Sequence, residues 1–428
     1  MSALRDKGGS HDKTWGPDED GVVTFKVLGD EGVTYPRPLT GAMLQADGKL
    51  IVTSTVERTD DLILMFVMAR LTVKGELDPL FGDCGLITGQ FAPGFHAGGG
   101  KLASSRDGRI YMAGWTISSQ TQRQHVAILC VDQQGERIED FGVDGQVIVD
   151  QPTDNYYPQD PCFIQALPDG NLIVGTNYEV GVGRVKTAVL FKYDAKGNPV
   201  NSFGTLGRVE IKMADRTQPT SLNDCCILDN GRILVAGSAR LPRMPQTYGL
   251  LAMLNENGSP NLLFGDSQTP SMLLITRRFT DVHFNAVKER APNRFLAAGF
   301  IDHSKPHRHS GILFGFDDGG QFDPEFNNGD FLEDNLRPDS FDSWESLYVD
   351  RNSTIMVAGG IDGGYIAAYR LDGTLDPDFG NGIGYIEEPN AGQSAPFLLI
   401  PCPPDKILYC LNGIGIFGNL GHLYRYHR

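Results

Sequence analysis

Gly373-Thr374-Leu375-Asp376-Pro377-Asp378-Phe379-Gly380 is the stretch that makes the rest of the chain readable. A near copy, Gly75-Glu76-Leu77-Asp78-Pro79-Leu80-Phe81-Gly82, stands far upstream. The aromatic-glycine pair that ends both recurs as Phe141-Gly142, Phe203-Gly204, Phe264-Gly265 and, with Asn in place of Gly, Phe326-Asn327. Successive aromatics are 60, 62, 61, 62 and 53 residues apart. A period of this kind is read before any local motif, because it marks units that each bury a face against a neighbour. It also answers the objection of length. A chain of 428 residues is long for one core, but a repeat array needs no single large core.

A second landmark keeps the same period. Asp107-Gly108-Arg109 leads into Ile110-Tyr111-Met112-Ala113-Gly114, and Asn230-Gly231-Arg232 leads into Ile233-Leu234-Val235-Ala236-Gly237. Related runs begin at Leu50, Leu172, Phe295, Ile355 and Ile407, which makes seven. Asp-Gly and Asn-Gly between apolar runs signal hairpins, since the turn needs positive φ. In the first full period four short apolar runs are bounded by turn residues, at 39–46, 50–56, 62–72 and 86–91. No stretch carries a 3.6-residue apolar period with caps, so almost no helix is expected. Seven four-stranded antiparallel units predict an all-β fold, a seven-bladed β-propeller.

The ends sharpen this reading. The last residues, His422-Leu423-Tyr424-Arg425-Tyr426, match the third strand of earlier units, for example Leu190-Phe191-Lys192-Tyr193, so the seventh unit lacks a fourth strand. Trp15-Gly16 followed by Val22-Val23-Thr24-Phe25 resembles the aromatic-glycine turn with its next strand. The N-terminal strand is therefore expected to complete the last blade. Residues 15–428 then form a single domain, and residues 1–14 are expected to be a loose tail.

These runs resemble the bacterial delta-60 repeat family, whose units carry Asp-Gly-Lys-Ile-Leu-Val-Ala-Gly and Gly-Thr-Leu-Asp-Pro-x-Phe-Gly. The resemblance spans the chain from about Trp15 onward and is best at 372–380. It implies a propeller whose blades place their first strand innermost. It implies no activity and no catalytic residues.

A formal net charge of −16 repels phosphate backbones and anionic lipid, so neither nucleic acid nor a membrane surface is an expected partner. No apolar run approaches a membrane span, and the first residues lack the apolar core of a signal peptide, so a cytoplasmic location is expected. Seven cysteines, most of them inside apolar runs, fit reduced thiols. Asp78, Asp323 and Asp376 precede Pro in the stereotyped turns and are expected to cap them rather than to bind calcium. His303, His307 and His309 sit in one loop with Lys305 and Arg308 among them, and no metal site is expected there. No motif implies a cofactor, and Gly98-Gly99-Gly100-Lys101 lacks the spacing of a phosphate loop.

The other turns vary in length and chemistry, the usual layout of a binding face on a regular scaffold. Residues entering each innermost strand are expected to ring the channel mouth: Arg37, His96, Asp160, Asn223, His283, Trp344 and Gln393. Trp115, Tyr156, Tyr157 and Trp344 are candidate aromatic anchors. The leading expectation is a non-catalytic scaffold for a protein or carbohydrate ligand. The alternative is a lyase or hydrolase with His96, Asp160, His283 and Glu345 as acid and base at the mouth. A third reading is a structural part of a larger assembly. Oligomeric state is left open.

Overall fold

The computed structural model describes residues 7–28, 34–36, 38–58, 60–117, 123–149, 156–180, 185–213, 218–241, 244, 246–266, 269–277, 280–304, 307–336, 342–350, 354–360, 364–388, 395–415 and 418–428. They form seven antiparallel sheets of four or five strands arranged as a closed propeller, and a two-stranded ribbon in which Lys26–Leu28 pairs with Thr34–Pro36. Blade one is built from Leu39–Leu44, Leu50–Glu57, Leu64–Leu71 and Leu86–Gly89, close to the runs read from the sequence. In blade three the innermost strand is broken into Tyr156–Pro158 and Phe163–Ala166, both paired with Leu172–Val180. Two single-turn 3-10 segments, Asn327–Gly329 and Gly380–Gly382, are the helical content of the described residues.

The aromatic-glycine landmark joins blade to blade. Its aromatic residue is buried in every blade: Phe81, Phe141, Phe203, Phe264, Phe326, Phe379 and, in blade seven, Trp15. The amide that follows donates to a carbonyl in the hairpin turn of the next blade. These bonds run from Gly82 to Gln134, Gly142 to Lys196, Gly204 to Asn257, Gly265 to Gly319, Asn327 to Asp372, Gly380 to Gly8 and Gly16 to Lys74, at 2.8 to 3.2 Å. The ring of seven bonds is complete. Gly82 has φ +53, and a Cβ there would lie 2.2 Å from the Leu86 carbonyl oxygen. In blade five Asn327 takes the place at φ 45, a residue that tolerates the left-handed region.

Closure comes from the N-terminus. Val22–Thr24 pairs antiparallel with the last strand, Gly418–His427, in the register Val22 to Tyr424 and Thr24 to His422. The expected loose tail differs from Lys7 onward. The Gly9 amide donates to the His427 carbonyl at 2.7 Å, and the Asp12 amide to that of Arg425 at 2.8 Å. Asp12 is buried and takes the Arg425 guanidinium at 2.7 Å. Residues 7–10 thus supply the hairpin-turn position that other blades form after their third strand. Apolar side chains pack between neighbouring blades, as where Val126 and Ile128 of blade two meet Val174 and Val189 of blade three.

The turn aspartates cap as expected and also pair with cations. Asp78 accepts the Leu80 amide, Arg70 at 2.7 Å and Lys49 at 2.9 Å. Burial pushes its carboxyl up, but these donors outweigh that and hold it below the ordinary value. Asp323 is fully buried between Arg290 and Arg294, while Asp376 accepts the Asp378 amide at 3.1 Å. All seven cysteines are free thiols.

Candidate functional site

The innermost strands carry a bulge at one level. In blades four, five and six the register shifts across Asn223, Asn285 and Glu345. Blades one and seven shift at the same place, and blade two accommodates both Gly99 and Gly100. A bulge adds a residue and re-aims its neighbours. The glycine ending the second landmark is the other half of this device. A Cβ on Gly299 would lie 1.8 Å from the His283 carbonyl oxygen, and one on Gly359 1.7 Å from that of Ser343. Only glycine lets the bulged backbone approach so closely.

The re-aimed side chains tie the blades together. Asn223 donates to the Phe284 carbonyl at 2.8 Å, and Asn285 donates to the Trp344 carbonyl at 3.2 Å. The Leu399 amide donates to the Ser346 hydroxyl at 3.0 Å. Asn412 and the Leu39 backbone exchange two bonds, as do Asn177 and the Leu222 backbone. Each of these links crosses from one blade to the next.

Inside this seam lies a cavity of about 260 Å³, lined by residues from all seven innermost strands. Its ionisable lining is Lys101 from blade two, Cys162 from blade three, Asp224 from blade four, Lys288 from blade five and Glu345 from blade six. Lys288 and Asp224 form a pair at 2.8 Å, and the Val287 amide also donates to Asp224. Burial opposes the Lys288 charge, but Asp224 outweighs it and holds the ammonium above its ordinary pKa. Burial lowers Lys101, with partial relief from Cys162, Asp224 and Asp160. It raises Glu345 despite the Ser343 hydroxyl bond, and it raises the Cys162 thiol to about 11.

The residues expected at the mouth are dispersed. Arg37 and Gln393 lie outside the described residues, and only the backbone of Tyr156 and Tyr157 is described. Asn223 and Glu345 line the cavity. Trp344 does not serve as an exposed anchor. It is fully buried in the core between blades five and six, against Gly311, where a Cβ would meet its ring at 2.3 Å. Trp115 lies over Gly98 at the end of its strand. The His96 ring accepts the Leu64 amide at 3.1 Å, and Asp160 accepts Gln124 at 2.5 Å. His283 stacks on Phe300 with ring centres 4.6 Å apart, and Phe300 stacks on His309 at 4.9 Å. Burial lowers the His283 pKa, partly offset by Asp281 and Asp302. His96, Asp160 and His283 are absent from the cavity lining, so the expected acid-base set does not gather around Glu345. His303 takes Glu333 at 2.7 Å, apart from the His309 stack, and the His307 side chain lies outside the described residues.

Lys101, Cys162, Asp224 and Lys288 were not foreseen. Lys101, Asp224 and Lys288 follow the bulge of their innermost strands by one to three residues, and Cys162 immediately precedes Phe163–Ala166.

A second concavity lies on the outside. Between the outer edges of blades two and three runs a groove of about 860 Å³, with Val143, Ile148 and Leu206 on its rim and Phe191, Tyr193 and Pro199 among its lining. Val143 is 73% exposed and Leu206 75%. Both flank the buried aromatic-glycine landmark, whose role is structural.

No protein-family model matches the chain, and no curated protein matches it at a significant level. Among solved structures it is similar to the β-propeller domain of the Trilobed protease from Pyrococcus furiosus, at 10% identity over 91% of this chain and 93% of that one, with a TM-score of 0.48. It is similar to a protein of unknown function from Dyadobacter fermentans, at 13% identity over 79% and 97%, with a TM-score of 0.45. Sqt1 from Chaetomium thermophilum matches at 10% identity over 92% and 97%, with a TM-score of 0.46.

Proposed function

We propose that this propeller, of the delta-60 repeat type, is a non-catalytic recognition scaffold for a partner protein. The observation that carries the reading is the groove between blades two and three. Side chains as apolar as Val143 and Leu206 stand in solvent beside Ile148, over a floor that includes Phe191 and Tyr193. Contiguous exposed apolar surface of this kind marks an interaction site. The occupant we assign is an apolar segment of another protein. The net charge of −16 favours basic residues around that segment. The buried polar groups, by contrast, serve largely to join blades.

Peptides selected from a displayed random library against the protein should be apolar with basic flanks. The double variant V143D/L206D should bind them roughly tenfold or more weakly, equivalent to about 1.4 kcal/mol or more, with an unchanged circular dichroism spectrum. Unchanged affinity for that variant refutes the groove. A loss on Trp115→Ala instead moves recognition to the loop end, where Trp115, Asp160 and His283 are the candidate contacts.

A further inference from the structure

The groove between blades two and three runs along an open sheet edge. Gln146–Ile148 is the outermost strand of blade two and pairs on one side only, with Gln124–Val131. In an antiparallel ladder hydrogen-bonded pairs alternate with open ones. The Val149 amide donates to the Val126 carbonyl at 2.9 Å, and the Cys130 amide to that of Gly145 at 2.8 Å, so Val126, Ile128 and Cys130 mark the bonded positions. Gln146 and Ile148 fall between them, and their amides and carbonyls point outward from the blade. At Gln146 the chain meets this need itself, exchanging two bonds with Val143 at 2.9 and 3.2 Å in an antiparallel bridge. Val143 thus holds the first step of a fifth strand. At Ile148, the next outward residue, the amide and carbonyl have no partner among the described residues.

Sheet edges are commonly guarded by charge, and blade three shows such a guard. Its Arg208 exchanges the same two bonds with Thr205, and the next outward residue is Glu210, ion-paired with Lys212. Blade two has Ile148 in that place, exposed on the rim of the groove. Val149 is buried against blade three, and Val147 packs on the same side. A residue paired with Ile148 would point to the side that Ile148 does. The residues before and after it would then point with Val147 and Val149, toward Phe191, Tyr193 and Leu206.

We propose that the partner segment binds as an added antiparallel strand on the outer edge of blade two, in line with Val143, and exchanges two backbone bonds with Ile148. The inference rests on the groove being the docking site, and it names the form of the occupant. That form is an extended segment reading apolar-x-apolar between basic flanks, with x opposite Ile148. Main-chain bonds supply affinity in such a mode, and alternate side chains supply specificity. A helix spends its amides internally and cannot make these bonds.

The test is an N-methyl scan of the tightest peptide from the displayed library, titrated against the full chain by calorimetry. Methylating the amide of x should weaken binding by about tenfold or more, and methylating either apolar neighbour by less than about threefold. Ile148→Pro removes the outward donor without breaking a ladder bond, and it should weaken the unmodified peptide by about tenfold or more. Ile148→Ala keeps that amide and should weaken the peptide by less than about threefold. Melting curves show whether each variant folds, and the scan against the parent chain decides the matter if Ile148→Pro does not. The inference is overturned, with the groove reading intact, if a peptide that V143D/L206D weakens tolerates N-methylation at every position. It is overturned in the same way if several consecutive amides prove sensitive, as in a bound helix. If V143D/L206D leaves the peptide's affinity unchanged, the groove reading fails and this inference fails with it.

Discussion

Replacing Trp15 by alanine tests the closure of the ring at a single side chain. Trp15 is 3% exposed, packs in the core shared by blades seven and one, and carries the Arg425 guanidinium 5.2 Å from its ring centre. It occupies in blade seven the position that Phe141 occupies in blade two. Truncating a buried aromatic to alanine costs about 3–5 kcal/mol, as lost transfer energy plus the cavity left behind. Unfolding entropy near the melting temperature is about 2.1 cal/mol/K per residue, so 428 residues give roughly 0.9 kcal/mol/K. The melting temperature of Trp15→Ala should therefore fall by about 3–6 °C in differential scanning calorimetry. Phe141→Ala, in the middle of the ring, should fall by a similar amount. If Trp15→Ala melts within a degree of the parent while Phe141→Ala does not, the N-terminal segment does not close the propeller in solution, and the closure argument fails with it.

Gly359→Ala should destabilise by about 1–3 kcal/mol, the cost of overpacking a tight site, because its Cβ falls on the Ser343 carbonyl. Gly319→Ala, with nothing nearer than 3.4 Å, is the matched control and should melt like the parent. Asp323→Ala leaves Arg290 without its buried partner and should cost about 3–5 kcal/mol in urea unfolding. A loss below 1 kcal/mol would show that the pair holds nothing. His11 reads out pH at the closure: its bond to Glu388 raises the imidazole pKa above 6.5, although burial opposes this. A folded pKa above the unfolded one stabilises fully below the unfolded value and is lost as pH rises through the folded value. The gap in melting temperature between the parent and His11→Phe should thus be widest below about pH 6.5 and shrink above it, and a gap that grows with pH contradicts the assignment.

The blades could be read from the sequence because their joints demand particular residue types. A buried aromatic and a positive-φ amide leave Phe-Gly in most blades, and the close backbone approach at the bulge leaves a glycine after the second apolar run. The channel was less legible, because a bulge breaks the alternation on which any inward or outward assignment rests. Asn223 and Glu345 face the cavity through that extra residue. Trp344, one position earlier, turns instead into the core over Gly311, although its place beside a loop suggested exposure. Lys101 was passed over because Gly98-Gly99-Gly100 was weighed only as a phosphate loop. Those glycines serve the bulge of blade two. Residues 7–12 bind largely through main-chain groups, such as the Gly9 amide on His427, and such bonds leave no mark in side-chain chemistry.

The two bonds that finish the seven-membered ring, Gly380 to Gly8 and Gly16 to Lys74, have a consequence for synthesis. Val22 pairs with Tyr424, so the first strand leaves the ribosome about 400 residues ahead of its partner. At roughly 5–20 residues per second, translation keeps that strand waiting for about 20–80 s. During that interval blade one offers an uncovered flank, and the nascent ring is an open arc whose two rims can each pair with another chain. The polar, strongly turned character of residues 7–21 suits a segment that must stay soluble through such a delay, and slow decoding late in the message would lengthen the exposure that a chaperone has to cover.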